Sequence, residues 1–399
     1  MRGQDFLDKM ELIEPAYVEA ADIMPKKKKS IWIKCGAAAA CLCLAIAGFI
    51  AIGQQTEHSQ TDLSGLSPIT IPELAVSGMG FEGGFYHDIS ELKNENPWSE
   101  SSQITALPVY KNGGFYDITH AGIPAIVLSE TEMRECLDSA ASELNLEILS
   151  TTVLTEEDYT PYASSTAPIE IHAKTDNGEL QVSANGNIVY LLPDDGLALP
   201  EEYTFTYSGK TDADAKKVLA YLSERYTDLL NFEEPKLLSY GDYDIYGNFC
   251  RNYIVYDAAG DETQDILNYN FRYASFFPSE TGKLYAIYLY DGLAAAEKIG
   301  DYPIITAKEA TERLISGQYQ TSAPAEFPGE EFIGKVELVY RSGSSEEMLL
   351  PYYRFYVLLS DEYAPDTDNG LKTYAAYYVP AITDEYIAGM PTYDGWFSG

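Results

Sequence analysis

Metal or proton chemistry in this chain would have to begin from four histidines, His58, His87, His120 and His172. His87 and His120 belong to two similar stretches, Gly83-Gly84-Phe85-Tyr86-His87-Asp88-Ile89-Ser90 and Gly113-Gly114-Phe115-Tyr116-Asp117-Ile118-Thr119, which His120 follows directly. With Asp88 and Asp117 beside them they could form a two-histidine, two-aspartate metal site. No two histidines have the close H-x-x-x-H spacing that puts two ligands on one helical turn. His58 lies in a polar stretch, and His172 in a strand among polar neighbours. Solvated histidines are the plainer reading, and no metal or other cofactor is expected.

The remaining reactive residues point the same way. Cys136 and Cys250 are the cysteines outside the apolar N-terminal run, and they could form one disulfide in an oxidising setting. Cys136 also falls in an apolar helical stripe, where a cysteine serves as a small hydrophobe. The run Asp366-Thr367-Asp368-Asn369-Gly370 has calcium-loop character. Its glycine comes one place early, however, and no glutamate stands at the bidentate position, so a strand-connecting turn is expected. There is no G-x-S-x-G nucleophile turn and no phosphate-cradling glycine loop. No catalytic residue is assigned, and the chain is expected not to be an enzyme.

Composition sets the outer limits. Of 26 basic and 62 acidic residues, 7 and 6 lie in residues 1–34, leaving 19 basic against 56 acidic, a net of −37, in the rest. Such a surface repels nucleic acid and anionic head groups and suits cations or a basic partner. Tyrosine is in excess, at 33 residues. Alternation such as Tyr285, Ile287, Leu289 against Ala286, Tyr288, Tyr290 puts many tyrosines on sheets, where the ring packs and the hydroxyl can reach water. Exposed rows of tyrosine can also bind sugars or peptides.

The elements that carry these residues follow a membrane anchor. Lys26, Lys27, Lys28, Lys29 and Lys34 precede an uncharged run from Cys35 to Gly53, with Ile31, Trp32 and Ile33 leading in. Nineteen residues at about 1.5 Å each nearly cross a ~30 Å hydrocarbon layer. Trp32 suits the interface, and the lysines hold their end in the cytoplasm. The expectation is a single-pass protein of the cell membrane, cytoplasmic at its N-terminus, extracellular beyond the span, and touching the lipid bilayer through one helix. A cleavage site at Ala45-Ile46-Ala47 competes with this, but a 34-residue tail is long for a signal peptide. Ala38 and Ala40 stand where a lipidated Cys41 or Cys43 would need a large aliphatic residue. In the tail, Leu7, Met10, Ile13 and Tyr17 suggest an amphipathic helix, which Pro15 interrupts. The tail has neither histidine nor cysteine, so it is not a zinc-bound module.

Six segments are expected: a cytoplasmic tail (1–30), a transmembrane helix (31–53), a linker (54–77), a loop-rich stretch with a first α+β module (78–200), a second module (201–300) and a third (301–399). The fold class is α+β, with helix-plus-antiparallel-sheet modules after the membrane helix. The first module's helix starts at the capping box Ser129-x-x-Glu132 and shows Met133, Cys136, Leu137, Ala140, Ala141 and Leu144. Strands follow at 169–174, 180–184 and 188–192, with turns at Asp176-Asn177-Gly178 and Asn185-Gly186. The second has a helix over 212–226 and strands over 252–256, 266–277 and 284–290. The third opens on the capping box Thr306-x-x-Glu309, followed by strands at 336–341, 352–359 and 374–379.

The third module carries a resemblance. Tyr302-Pro303-Ile304-Ile305-Thr306-Ala307-Lys308-Glu309-Ala310, with Leu314 and Gly317, runs into Val336-Glu337-Leu338-Val339-Tyr340. Pro351-Tyr352-Tyr353-Arg354-Phe355 and Tyr377-Tyr378-Val379-Pro380-Ala381 follow. Over residues 302–382 this resembles extracytoplasmic regulatory domains of the PepSY and YycI/YycH type from Gram-positive bacteria. The lysine cluster with its Cys41-Leu42-Cys43-Leu44 span also resembles membrane-anchored proteins of clostridial-type bacteria, some of them acting like anti-sigma factors. The resemblance implies non-catalytic modules that modulate a protein partner: a membrane sensor, a protease or a sigma-factor system. A cell-wall glycan or peptide binding module is the alternative, and an extracytoplasmic hydrolase a further one.

Overall fold

The computed structural model describes residues 65–71, 86–87, 94–114, 127–159, 165–193, 196–208, 211–243, 248–321, 323, 325–342, 346–360 and 370–393. The expected tail and span, with Lys26, Lys27, Lys28, Lys29, Trp32, Lys34, Cys35 and Gly53, lie outside them. Among the described residues no helix is long and apolar enough to cross a membrane.

In chain order the elements begin with β1 (Tyr86–His87), β2 (Ala106–Asn112), α1 (Glu130–Glu143), β3 (Ile148–Thr155), α2 (Glu156–Tyr159), β4 (Pro168–Thr175), β5 (Gly178–Ser183) and β6 (Ile188–Leu191). Then come α3 (Asp212–Arg225), α4 (Thr227–Leu230), β7 (Pro235–Tyr243), β8 (Phe249–Asp257), α5 (Glu262–Phe271), β9 (Arg272–Pro278) and β10 (Leu284–Asp291). The last group is β11 (Ala296–Pro303), α6 (Ala307–Ile315), β12 (Gln320–Thr321), β13 (Ile333–Tyr340), β14 (Met348–Leu349), β15 (Pro351–Leu358) and β16 (Thr373–Pro380). The fold is mixed α+β, built on antiparallel sheets.

Both capping boxes form. Ser129 and Glu132 close the start of α1, and Thr306 and Glu309 that of α6, each satisfying helix N–H groups that have no partner in the first turn. The Asn185-Gly186 turn also forms, with Gly186 at φ 89, a conformation that costs glycine nothing.

The largest sheet has eight strands in the order β3-β4-β5-β6-β10-β9-β8-β7. Strands expected in the first and second modules thus share one sheet, joined where β6 pairs β10, Tyr288 opposite Val189. Helices α1, α3 and α4 cover one face. Their Met133, Leu137, Val218, Leu219, Leu222 and Leu229 pack on Ile171, Leu180, Val182, Tyr253, Val255, Phe276 and Ile287. A second sheet joins β1, β16, β15 and β13, with β12 also on β16, and a third joins β11, β2 and β14.

One expected strand is corrected. Residues 266–271 are helical, and the strand begins only at Arg272. The Asp261 side chain accepts from the Gln264 N–H at 2.9 Å and starts α5, which buries Ile266, Leu267 and Phe271. These three belong to the core of the β16-β15-β13 sheet, so α5 leaves the large sheet after β8, packs on its neighbour and returns as β9. Asn270 Oδ1 accepts from the Tyr340 N–H at 3.0 Å, fixing α5 to β13. Strands β2, β3, β7 and β11, and the two-residue strands β1, β12 and β14, are not among those expected. Part of the expected linker is packed: Ile69 and Ile71 are buried, and Ile69 bridges Ile387.

Candidate functional site

The large sheet has two unlike faces. Along β4 and β5 the residues under the helices, Ile171, Ala173, Leu180 and Val182, are fully buried, while Glu170, His172, Glu179 and Gln181 between them are only half-buried. The same alternation continues through β6, β10 and β9. There Val189, Leu191, Tyr288, Tyr290, Tyr273 and Phe277 share the second face with the histidine. Among the described residues α5 lies toward the β8 and β9 end of this face, and the short α2 reaches its β4 end through Tyr159.

Two features meet on that face. One is an aromatic row: Phe277 lies 4.7 Å from Tyr288, Tyr288 lies 6.2 Å from Tyr290, and Tyr290 stacks on Tyr273 at 4.6 Å between ring centroids. Burial pushes the Tyr273 phenol up to about 12 and raises those of Tyr288 and Tyr290, so all three remain neutral hydroxyls near pH 7. Tyr285, the bulge residue of β10, and Tyr207 are each 45% exposed at the rim of the row.

The other is an ionic clamp. The β4–β5 hairpin places Gln181 opposite His172, which puts Glu179 and Ser183 on the diagonals of the same face. His172 Nε2 lies 3.0 Å from Glu170 Oε2, and Nδ1 lies 3.3 Å from Glu179 Oε1. Ser183 donates to Glu170 at 2.8 Å, Tyr159 donates to its other oxygen, and Gln181 donates to Glu179 at 2.9 Å. Burial disfavours the imidazolium, but hydrogen bonds to Glu170 and Glu179 and their charges outweigh it, taking His172 up to about 9. Burial likewise raises Glu170, yet its bonds from His172, Tyr159 and Ser183 bring it below the usual carboxylate value. For Glu179 the bond from His172 comes first and leaves it lowered too.

The clamp is poorly suited to acid–base catalysis. A ring charged at neutral pH, with both N–H groups engaged, has no lone pair to accept a proton. A second cluster lies on β13 and β15. There buried Glu337 pairs with Lys335 and with Arg354 at 2.7 Å, and accepts from the Tyr356 hydroxyl at 3.1 Å. Burial alone would raise this carboxyl, and the two cations hold it below its usual value.

Of the other sequence candidates, Cys250 on β8 falls on this same face by register, near Tyr207, and Cys136 lies on α1. Neither Cys136 nor Cys250 forms a disulfide. Cys136 is half-buried on α1, where burial raises its thiol pKa first, assisted by Glu135, Glu132 and Asp291. His58, Asp88, Asp117, His120 and residues 366–369 lie outside the described residues, and the His87 backbone pairs with Thr373. Among the described residues no group of three or more His, Cys, Asp and Glu is arranged to hold a metal. His172 was visible in the sequence, but its partners were not singled out. The signal was present: the Asp176-Asn177-Gly178 turn fixes the hairpin register, and that register brings Glu179 to the histidine.

Comparison with known proteins finds no matching family model, no matching curated protein and no matching solved structure.

Proposed function

We propose that this is a single-pass membrane protein with a cytoplasmic N-terminus, whose non-catalytic extracytoplasmic α+β region binds a protein partner and regulates it. The observation that carries the reading is the half-open tyrosine face of the large sheet, whose one imidazole is locked between two carboxylates rather than poised for chemistry. Aromatic rings with hydroxyls that stay protonated suit a protein surface, since each offers apolar area and a polar tip at little entropic cost. The anchor rests on the lysine cluster and uncharged run of residues 26–53. The PepSY and YycI/YycH resemblance of residues 302–382 favours a sensor, protease or sigma-factor system as the partner, and modular organisation after the span. Crosslinking in intact membranes followed by affinity capture tests it. One specific protein recovered from the outer side is expected, and recovery of none on either side would overturn it.

A second reading has its own observation. Tyr285 and Tyr207 at the rim of the row could stack on sugar rings while carboxylates accept sugar hydroxyls. Cell-wall glycan pelleting with the full chain separates the two: binding lost on Tyr285→Ser would favour glycan, and no pelleting removes it.

A further inference from the structure

The two edges of the large sheet are built differently. β7 opens on Pro235 and carries Lys236 and Gly241, features that discourage a further strand, and β1 lies against it. β3 reads Ile148-Leu149-Ser150-Thr151-Thr152-Val153-Leu154-Thr155, with no charge, proline or glycine and mostly β-branched residues. Its ends are closed: the Glu147 N–H donates to Asp176 Oδ1 at 2.9 Å and the Thr155 N–H to Asp158 Oδ2 at 2.7 Å. Between them Ser150–Leu154 pair regularly with β4 on one side. On the other side no strand among the described residues pairs with them. Leu149 is 62% exposed, and Ser150, Thr151 and Thr152 are exposed too.

The surroundings of this edge are acidic. α1 has five acidic residues against one base, Arg134. Arg134 holds Glu130 at 2.7 Å and reaches Thr151 Oγ1 at 3.4 Å, which places the flank Glu130–Arg134–Asp138 beside β3. Glu147 stands at one end of the strand, and Glu157 and Asp158 at the other, all exposed. A second copy is a poor occupant. Antiparallel β3–β3 pairing would bring Glu147 of one chain toward Glu157 and Asp158 of the other, between molecules of net charge −36.

We propose that Ser150–Leu154 of β3 is a strand-addition site for a basic, extended segment of a partner protein. Backbone groups of that segment complete the ladder, and its alternate lysine or arginine side chains meet the Glu130–Asp138 flank. The proposal rests on the protein-partner reading above and names how that partner docks.

The test uses full-length chain in detergent micelles and three blocked nonapeptides: alternating Lys/Val, alternating Glu/Val, and Lys/Val with alternate backbone nitrogens methylated. Lys/Val is expected to bind at least tenfold more tightly than either control and to slow amide exchange in 150–154 at least tenfold. Thr152→Lys, an exposed change whose folding circular dichroism verifies, is expected to weaken binding at least tenfold. Equal binding by the methylated peptide would overturn the proposal, leaving only charge attraction. So would slowed exchange elsewhere, slow exchange in 150–154 before peptide is added, or a dimer that Thr152→Lys dissolves. The peptides need no native partner, so the outcomes separate. A partner captured equally by wild type and Thr152→Lys overturns the edge site but leaves the protein-partner reading standing.

Discussion

The covered and the open face of the eight-stranded sheet are made by the same strands, yet they do opposite things. Under α1, α3 and α4 the side chains are mainly aliphatic or buried aromatic and chiefly fill volume, with one polar inclusion where buried Arg251 meets Asp212 of α3 at 2.8 Å. On the other face the same backbone presents tyrosines, a histidine and two glutamates that are only half-buried and satisfied by one another. The first face supplies stability by removing apolar area from water. The second keeps polar tips within reach of whatever arrives. A face needed only for packing would not gain from a charged imidazole, because well-packed apolar residues are as stable or more so.

This contrast can be broken by substitution, and the largest effect is expected at the buried ionic cluster of the neighbouring sheet. Glu337→Ala leaves Lys335 and Arg354 facing each other without their shared anion, and should cost about 4 kcal/mol in urea unfolding. On the covered face, Leu219→Ala opens a cavity beneath α3 and should cost about 3 kcal/mol by the same measurement.

On the open face the clamp should be weaker and pH-dependent. His172→Gln removes two charge-assisted bonds and should cost about 2 kcal/mol near pH 6. The folded-state imidazole titrates near 9 against an ordinary 6.5. Its contribution is therefore complete below about pH 6.5, fades as the pH rises and is lost above about 9. Glu170 and Glu179 titrate below their ordinary 4.5, so their contribution is present above that value and is lost as the pH falls through the folded values. Unfolding midpoints at pH 6 and pH 9.5 check this: wild type should lose more than His172→Gln between them. The smallest effect on stability is expected at Tyr285→Ser, under about 0.5 kcal/mol, because the ring is 45% exposed.

The covered face was the more legible in the sequence, for a physical reason. Helix periodicity with a capping box is local, so Ser129 with Met133, Leu137 and Ala140 announces α1, and the same signal, Thr306 with Ala310 and Leu314, announces α6 on the neighbouring sheet. Asp261-x-x-Gln264 carried the same kind of signal for α5, but the run of aromatics beyond it read as strand. The open face depends on pairings between distant segments. That β6 pairs β10 is visible only once two stretches about a hundred residues apart are laid side by side. Glu170 and Glu179 look like any of 62 acidic residues until the hairpin register brings both to one ring.

The central claim is that the open face, and not the outer surface of α3, meets the partner. Photo-crosslinking in intact cells tests it most directly, with benzoylphenylalanine placed at Tyr285 on the rim of the open face or at Glu224, exposed on α3. A discrete protein adduct from position 285 and none from 224 is the predicted result. Adducts from 224 alone, from both positions equally or from neither would contradict it.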